Sequence, residues 1–172
     1  MSYQKIIICL LIFSILLSLS GCGKLLLTSP LYEGTEDGVL YIEPDNINIA
    51  PGNDFNLELK VNSIANLKAY SVSLSYDSTF LSLQGVTEGS FLSTNGTTFF
   101  YKTIDNDKGE TLIDCSVLSS ELGASGEGAL ATLSLKSLKS GSTNLTFKLV
   151  KMRDINNEEI TATKRDVVIK SK

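Results

Sequence analysis

The chain has no histidine and no tryptophan, and only three cysteines and three prolines in 172 residues. Each shortage removes a class of chemistry. Without histidine, neither a Ser-His-Asp nor a Cys-His nucleophilic device can be assembled. With no paired cysteines either, a transition-metal centre loses its usual ligands. Paired carboxylates could still hydrolyse a glycoside, but they need a cleft that holds them at a fixed separation. The acids here fall mainly in turns or alternate outward from strands, as Glu58 does. The expectation is a protein that is not an enzyme and carries no cofactor. Basic charge is also scarce: 15 Lys and Arg stand against 19 Asp and Glu, for a net charge of −4. A domain with no basic cluster is a poor nucleic-acid binder, because phosphate contacts dominate that affinity.

No apolar run reaches the ~20 residues that a membrane-spanning helix requires. The longest, residues 6–20, reads IIICLLIFSILLSLS and follows Lys5. A positive start, a short apolar stretch and small residues behind it are the layout of a secretory signal. Its end, Leu19-Ser20-Gly21-Cys22, resembles the bacterial lipobox. That resemblance implies cleavage after residue 21, a diacylglycerol on Cys22, and an exported, membrane-anchored lipoprotein. Gly23 follows where a retention aspartate would stand, so the cell surface or, in a Gram-negative cell, the outer membrane is expected. Removing residues 1–21 takes away Lys5 and no acid, leaving 14 basic against 19 acidic residues, net −5. Residues 22–38 then read as the lipidated cysteine and a tether, punctuated by Pro30 and glycines. Leu25 to Leu27 could lie on the membrane surface or cover a sheet edge. Cys9 leaves with the signal and Cys22 takes lipid, so Cys115 has no disulfide partner. It alternates with Ile113 and Val117, as a small buried hydrophobe would.

From residue 39 onward, strand signals recur with turn residues between them. The nine segments are 39–44, 55–61, 68–77, 80–87, 97–104, 111–118, 129–138, 143–152 and 159–170. Nine short strands and almost no helical periodicity predict an all-β jelly-roll sandwich in one domain, 39–172. A short turn near 118–123 fits as well. The clearest alternation is YSVSLSYD, in which Tyr70, Val72, Leu74 and Tyr76 face a core and Ser71, Ser73 and Ser75 face away. A row of hydroxyls suits a solvated face or a recognition surface. Asp105, Asp107 and Glu110 in DNDKGE offer oxygen ligands, as does the stretch from Asp154 to Glu159. Neither has the spacing of an EF-hand loop, so calcium is a weak expectation beside ordinary turn chemistry.

In this order of signals the chain resembles the cohesin domain, the receptor half of the cohesin–dockerin pair. The matching pieces are Ala50-Pro51-Gly52-Asn53-Asp54-Phe55, Asn66-Leu67, Leu74-Ser75-Tyr76-Asp77 and Leu81-Ser82-Leu83. Val86 to Leu92 and the run from Gly126 to Leu133, GEGALATL, complete them. The resemblance implies a cohesin-like sandwich and a non-catalytic role, docking a dockerin-bearing protein through one sheet face. That face includes the family's third, fifth, sixth and eighth strands. With alternation, the resemblance places Ser71, Ser73, Asp114, Ser116, Thr132 and Ser134 there. Cellulosomal members carry asparagine and aspartate on the third strand, whereas Ala69 and Ser71 stand at the nearest positions here. The alternative is a carbohydrate-binding module of the same fold superfamily. Such modules usually stack sugars on tryptophan, which is absent. Phe99, Phe100 and Tyr101 are contiguous, however, so alternation sends at least one aromatic ring outward.

Overall fold

A computed structural model describes residues 38–118 and 121–172. The signal, Cys22, the tether up to residue 37 and the middle of the expected 118–123 turn lie outside the described residues. The strands are β1 (Gly38–Glu43), β2 (Asn46–Ile49), β3 (Asp54–Tyr76), β4 (Leu81–Glu88), β5 (Thr98–Asp105) and β6 (Glu110–Val117). They continue with β7 (Ala124–Ser137), β8 (Gly141–Asp154), β9 (Ala162–Arg165) and β10 (Val167–Ser171). One helical turn, α1 (Ser90–Ser93), follows β4.

The long strand β3 builds the architecture. Along residues 54–61 every second residue is buried, with Leu57, Leu59 and Val61 inward. The spacing then stretches to three through Ile64, Leu67 and Tyr70, and returns to two at Val72 and Leu74. Ser63 and Asn66 adopt positive φ of 55° and 54° within the stretched part. The pairing with β7 shifts register at the same place. Such bulges bend a strand and let it leave one sheet for another. The first half of β3 pairs with β1 and β7, and the second half pairs with β6 and β8. One sheet therefore runs β9-β1-β3-β7-β4 and the other runs β5-β6-β3-β8-β10-β2, sharing β3.

This is the expected all-β sandwich, with different strand bounds. The expected segments 55–61 and 68–77 are one strand, because Ile64 and Leu67 keep pairing with Gly126 and Ala124 through the bulges. The NINI segment of β2 pairs in parallel with β10; four residues between two prolines carry too little periodicity to announce it. The final expected segment divides at Asp166, whose carboxylate accepts the Phe147 N–H at 2.9 Å beside the bulge in β8.

The inner faces of both sheets share one apolar core, including Leu57, Leu59, Leu133 and Leu135 with Val72, Leu74, Ile113 and Ile169. Burial on this scale supplies most of the folding free energy, at about 25 cal/mol per Å² of apolar surface. The open side between β4 and β5 is closed by polar groups instead. Asn106 accepts the Leu83 N–H and the Tyr76 hydroxyl, each at 2.9 Å, and donates to the Leu83 carbonyl at 3.0 Å. Lys102 donates to the Val86 carbonyl. The unpaired edge of β4 is thereby occupied, which blocks pairing with another chain.

Tyr70 crosses the core, its hydroxyl donating to the Leu130 carbonyl at 2.7 Å. Burial raises the Tyr70 phenol, and burial with the Asp105 charge pushes Tyr76 up to about 12. Burial, then the Glu88 carboxylate, pushes the Cys115 thiol up to about 12. All three stay protonated in the folded state above the pH at which the unfolded chain loses those protons. Their stabilisation is therefore complete below the unfolded values of 9.0 for Cys115 and 10.0 for Tyr76, and fades as pH rises towards 12. Thermal melts should show Tm falling between pH 9 and pH 12, and falling less steeply in Tyr70→Phe. At pH 7 that variant should lose only about 1 kcal/mol, because Leu130 O still accepts the Gly89 N–H at 2.9 Å.

Candidate functional site

The outer face of the second sheet forms a regular grid, because directly paired residues in antiparallel strands project to the same side. Across β5, β6, β3 and β8, one row is Phe99, Ser116, Ala69 and Arg153. The next is Tyr101, Asp114, Ser71 and Lys151, followed by Thr103, Leu112, Ser73 and Leu149. The last is Asp105, Glu110, Ser75 and Thr146. Phe100, between the two outward rings of β5, packs against the core.

The two ends of this grid differ. At the Ser75 end the polar groups satisfy one another: Ser75 and Thr146 share a hydrogen bond of 2.9 Å, and Glu110 pairs with Lys148. At the other end Ala69, Ser71 and Ser116 leave a depression of about 320 Å³, flanked by Phe99 on one side and by Lys151 and Arg153 on the other. Asp114 lies in it, and its Oδ1 is shielded from solvent without a hydrogen-bond partner among the described residues. An oxygen in that position costs free energy until a donor reaches it.

Large apolar side chains are exposed on this face as well. Phe99 is 54% exposed, Tyr101 48% and Leu149 40%. Leu118, just past β6 in the same alternation, is 61% exposed. The other large exposed apolar residues among the described ones are spread out: Leu122 and Leu138 flank β7, Ile155 follows β8 and Val168 lies on β10. Exposed apolar groups gathered on one face mark an interaction surface, where scattered ones would not.

Of the six residues expected on one face, Ser71, Ser73, Asp114 and Ser116 share the outer face of the second sheet. Thr132 and Ser134 do not. They lie on β7, opposite Glu58 and Asn56 of β3, on the outer face of the first sheet. Alternation identifies which side of a strand is outward, but leaves open which sheet the strand joins. The residues that sequence reasoning left out are Leu112, Leu149, Lys151 and Arg153. Leu112 follows from the alternation of β6, whereas the β8 residues needed the register with β3, since a bulge between Phe147 and Leu149 interrupts their alternation.

The calcium candidates are engaged in hairpin chemistry. Asp105 accepts the Lys108 N–H at 3.0 Å and its ammonium at 2.9 Å, and these bonds hold its carboxyl below the usual range. Glu110 pairs with Lys148, and Asp107 is exposed. Asp154 accepts the Asn156 and Glu158 N–H groups, both at 2.8 Å, closing its own turn. Among the described residues no group of three or more acids or cysteines is placed to hold a metal ion. Nor is any helix among them long and apolar enough to cross a membrane.

Comparison with known proteins agrees with the fold. A family model for the cohesin domain matches residues 42–169. No curated protein matches the chain. Among solved structures, a non-cellulosomal cohesin of the archaeon Archaeoglobus fulgidus aligns with TM-score 0.67 at 15% identity, over 79% of this chain and 91% of that one. A type II cohesin from the cellulosome of Acetivibrio cellulolyticus aligns with TM-score 0.69 at 16% identity, over 77% and 94%. The sixth cohesin of scaffoldin B from Acetivibrio cellulolyticus, solved in complex with a dockerin, aligns with TM-score 0.66 at 15% identity, over 78% and 99%. At such identities the structures share a fold, while the family model spans most of the sequence. The chain belongs to the cohesin domain family.

Proposed function

We propose that this protein is a non-catalytic docking receptor, held at a membrane through lipid on Cys22, which binds a dockerin-bearing protein through the β5-β6-β3-β8 face. The observation that carries the reading is the gathering of Phe99, Tyr101, Leu118 and Leu149 on that one face, with an unpaired Asp114 oxygen among them. Non-obligate protein interfaces have this composition, with aromatic anchors at the centre and polar groups around them. The anchor rests on the lipobox-like Leu19-Ser20-Gly21-Cys22 behind its apolar stretch. One acyl chain binds membranes only marginally, and two make an anchor durable.

In cells expressing the full chain, the protein should fractionate with membranes, and those membranes should capture a purified dockerin module encoded in the same genome. Cys22→Ala should shift the protein to the soluble fraction while dockerin capture persists. Membrane retention of that variant would remove the lipid anchor. Failure to bind any such dockerin, together with retention on insoluble polysaccharide, would replace docking by carbohydrate binding.

A further inference from the structure

The docking face is electrically lopsided. Its β8 side carries Lys151 and Arg153, and its β5 side carries Phe99 and Tyr101, with Ala69, Ser71, Ser116 and Asp114 between them. Lys148 is already matched by Glu110, but neither Lys151 nor Arg153 pairs with a carboxylate among the described residues. Arg153 donates to the Asn157 carbonyl at 3.2 Å, which positions its guanidinium without neutralising it. The one acid in the depression, Asp114, bonds to neither cation. Glu159, opposite Arg153 in an antiparallel bridge, forms no ion pair with it, which leaves both cations of this rim open to a partner's carboxylates.

The dimensions restrict what can sit there. The β5 and β8 walls are three inter-strand spacings apart, roughly 14 Å. The floor of Ala69, Ser71 and Ser116 is low, so the trough accepts an element about 10–12 Å across, the diameter of a helix with its side chains.

Resting on the docking reading above, we propose that this face selects an acidic partner helix. Its apolar ridge lies against Phe99 and Tyr101, and its carboxylates pair with Lys151 and Arg153. Charge matching of this kind sets partner choice and association rate more than raw affinity. The receptor would thus reject dockerins whose corresponding helix is neutral or basic.

The test uses the full chain in detergent and, as probes, each dockerin module encoded in the same genome. Dissociation constants are measured at 50 and 500 mM salt for wild type and for Lys151→Glu/Arg153→Glu. For the dockerins that bind wild type, the double reversal should weaken binding at least tenfold at 50 mM salt, with an unchanged melting temperature. Wild-type affinity should fall with salt, since exposed charges are screened beyond about 10 Å at 0.1 M, and the variant's should not. Changing the dockerin's own helix carboxylates to lysine should restore binding to the variant. If wild type binds dockerins and the reversal changes affinity by less than twofold, the acidic-partner inference fails and docking stands. If wild type binds none of them, the docking reading fails and takes this inference with it.

Discussion

Gly109→Ala should destabilise the domain by about 3 kcal/mol or more, the sum of a left-handed backbone penalty and an overpacking cost. For a domain of this size that amounts to a fall in Tm of roughly 10 °C. Gly109 closes the turn between β5 and β6 at φ +65°, where an L side chain is strained. A Cβ there would also overlap the Tyr76 carbonyl oxygen and come within 3.3 Å of the Ser78 nitrogen. Backbone cannot step aside cheaply, because the Tyr76 N–H donates to the Gly109 carbonyl at 2.8 Å. Gly52 separates the two costs. Its φ is +85°, yet a Cβ there meets nothing within 4 Å. Gly52→Ala should therefore cost only about 1–2 kcal/mol. Urea titrations of both variants give the comparison, and equal losses would show that the close approach to Tyr76 contributes nothing.

Phe99→Ala/Tyr101→Ala should weaken dockerin binding at least about a hundredfold, or roughly 2.7 kcal/mol. Both rings project from β5 and are about half exposed, so their loss should also cost roughly 2–4 kcal/mol of stability, and the affinities are compared below the variant's melting transition. Thr132→Ala/Ser134→Ala is the matched control on the other sheet and should leave affinity unchanged. Titration calorimetry of the three proteins against one dockerin decides between the faces. A large loss in the threonine–serine variant with none in the aromatic variant would move docking to the β4-β7-β3-β1 surface.

Much of this was legible from local pattern alone. Alternation in YSVSLSYD named the inward Tyr70, Val72, Leu74 and Tyr76, all buried, and set Ser71 and Ser73 on the opposite side. The same alternation sets Ile113, Cys115 and Val117 inward, and all three are buried. The contiguous aromatics 99–101 were expected to send a ring outward, and Phe99 and Tyr101 both point that way. These inferences succeed because side-chain direction in a strand repeats every two residues and depends on nothing distant.

Sheet membership has no such local signature. Whether β7 lies beside β3 and β4 or beside β6 depends on hydrogen bonds between residues dozens of positions apart, which put Thr132 and Ser134 on the other sheet from Ser71 and Asp114. The same limit hid the continuity of β3, whose bulges at Ser63 and Asn66 carry one strand through both sheets. It also hid the join of Phe99 and Tyr101 with Asp114, Ser71 and Lys151 into a single row-by-row surface. The amino-acid order was enough to say which residues turn outward. Long-range pairing between strands chose which of them meet, and with them the surface a partner can read.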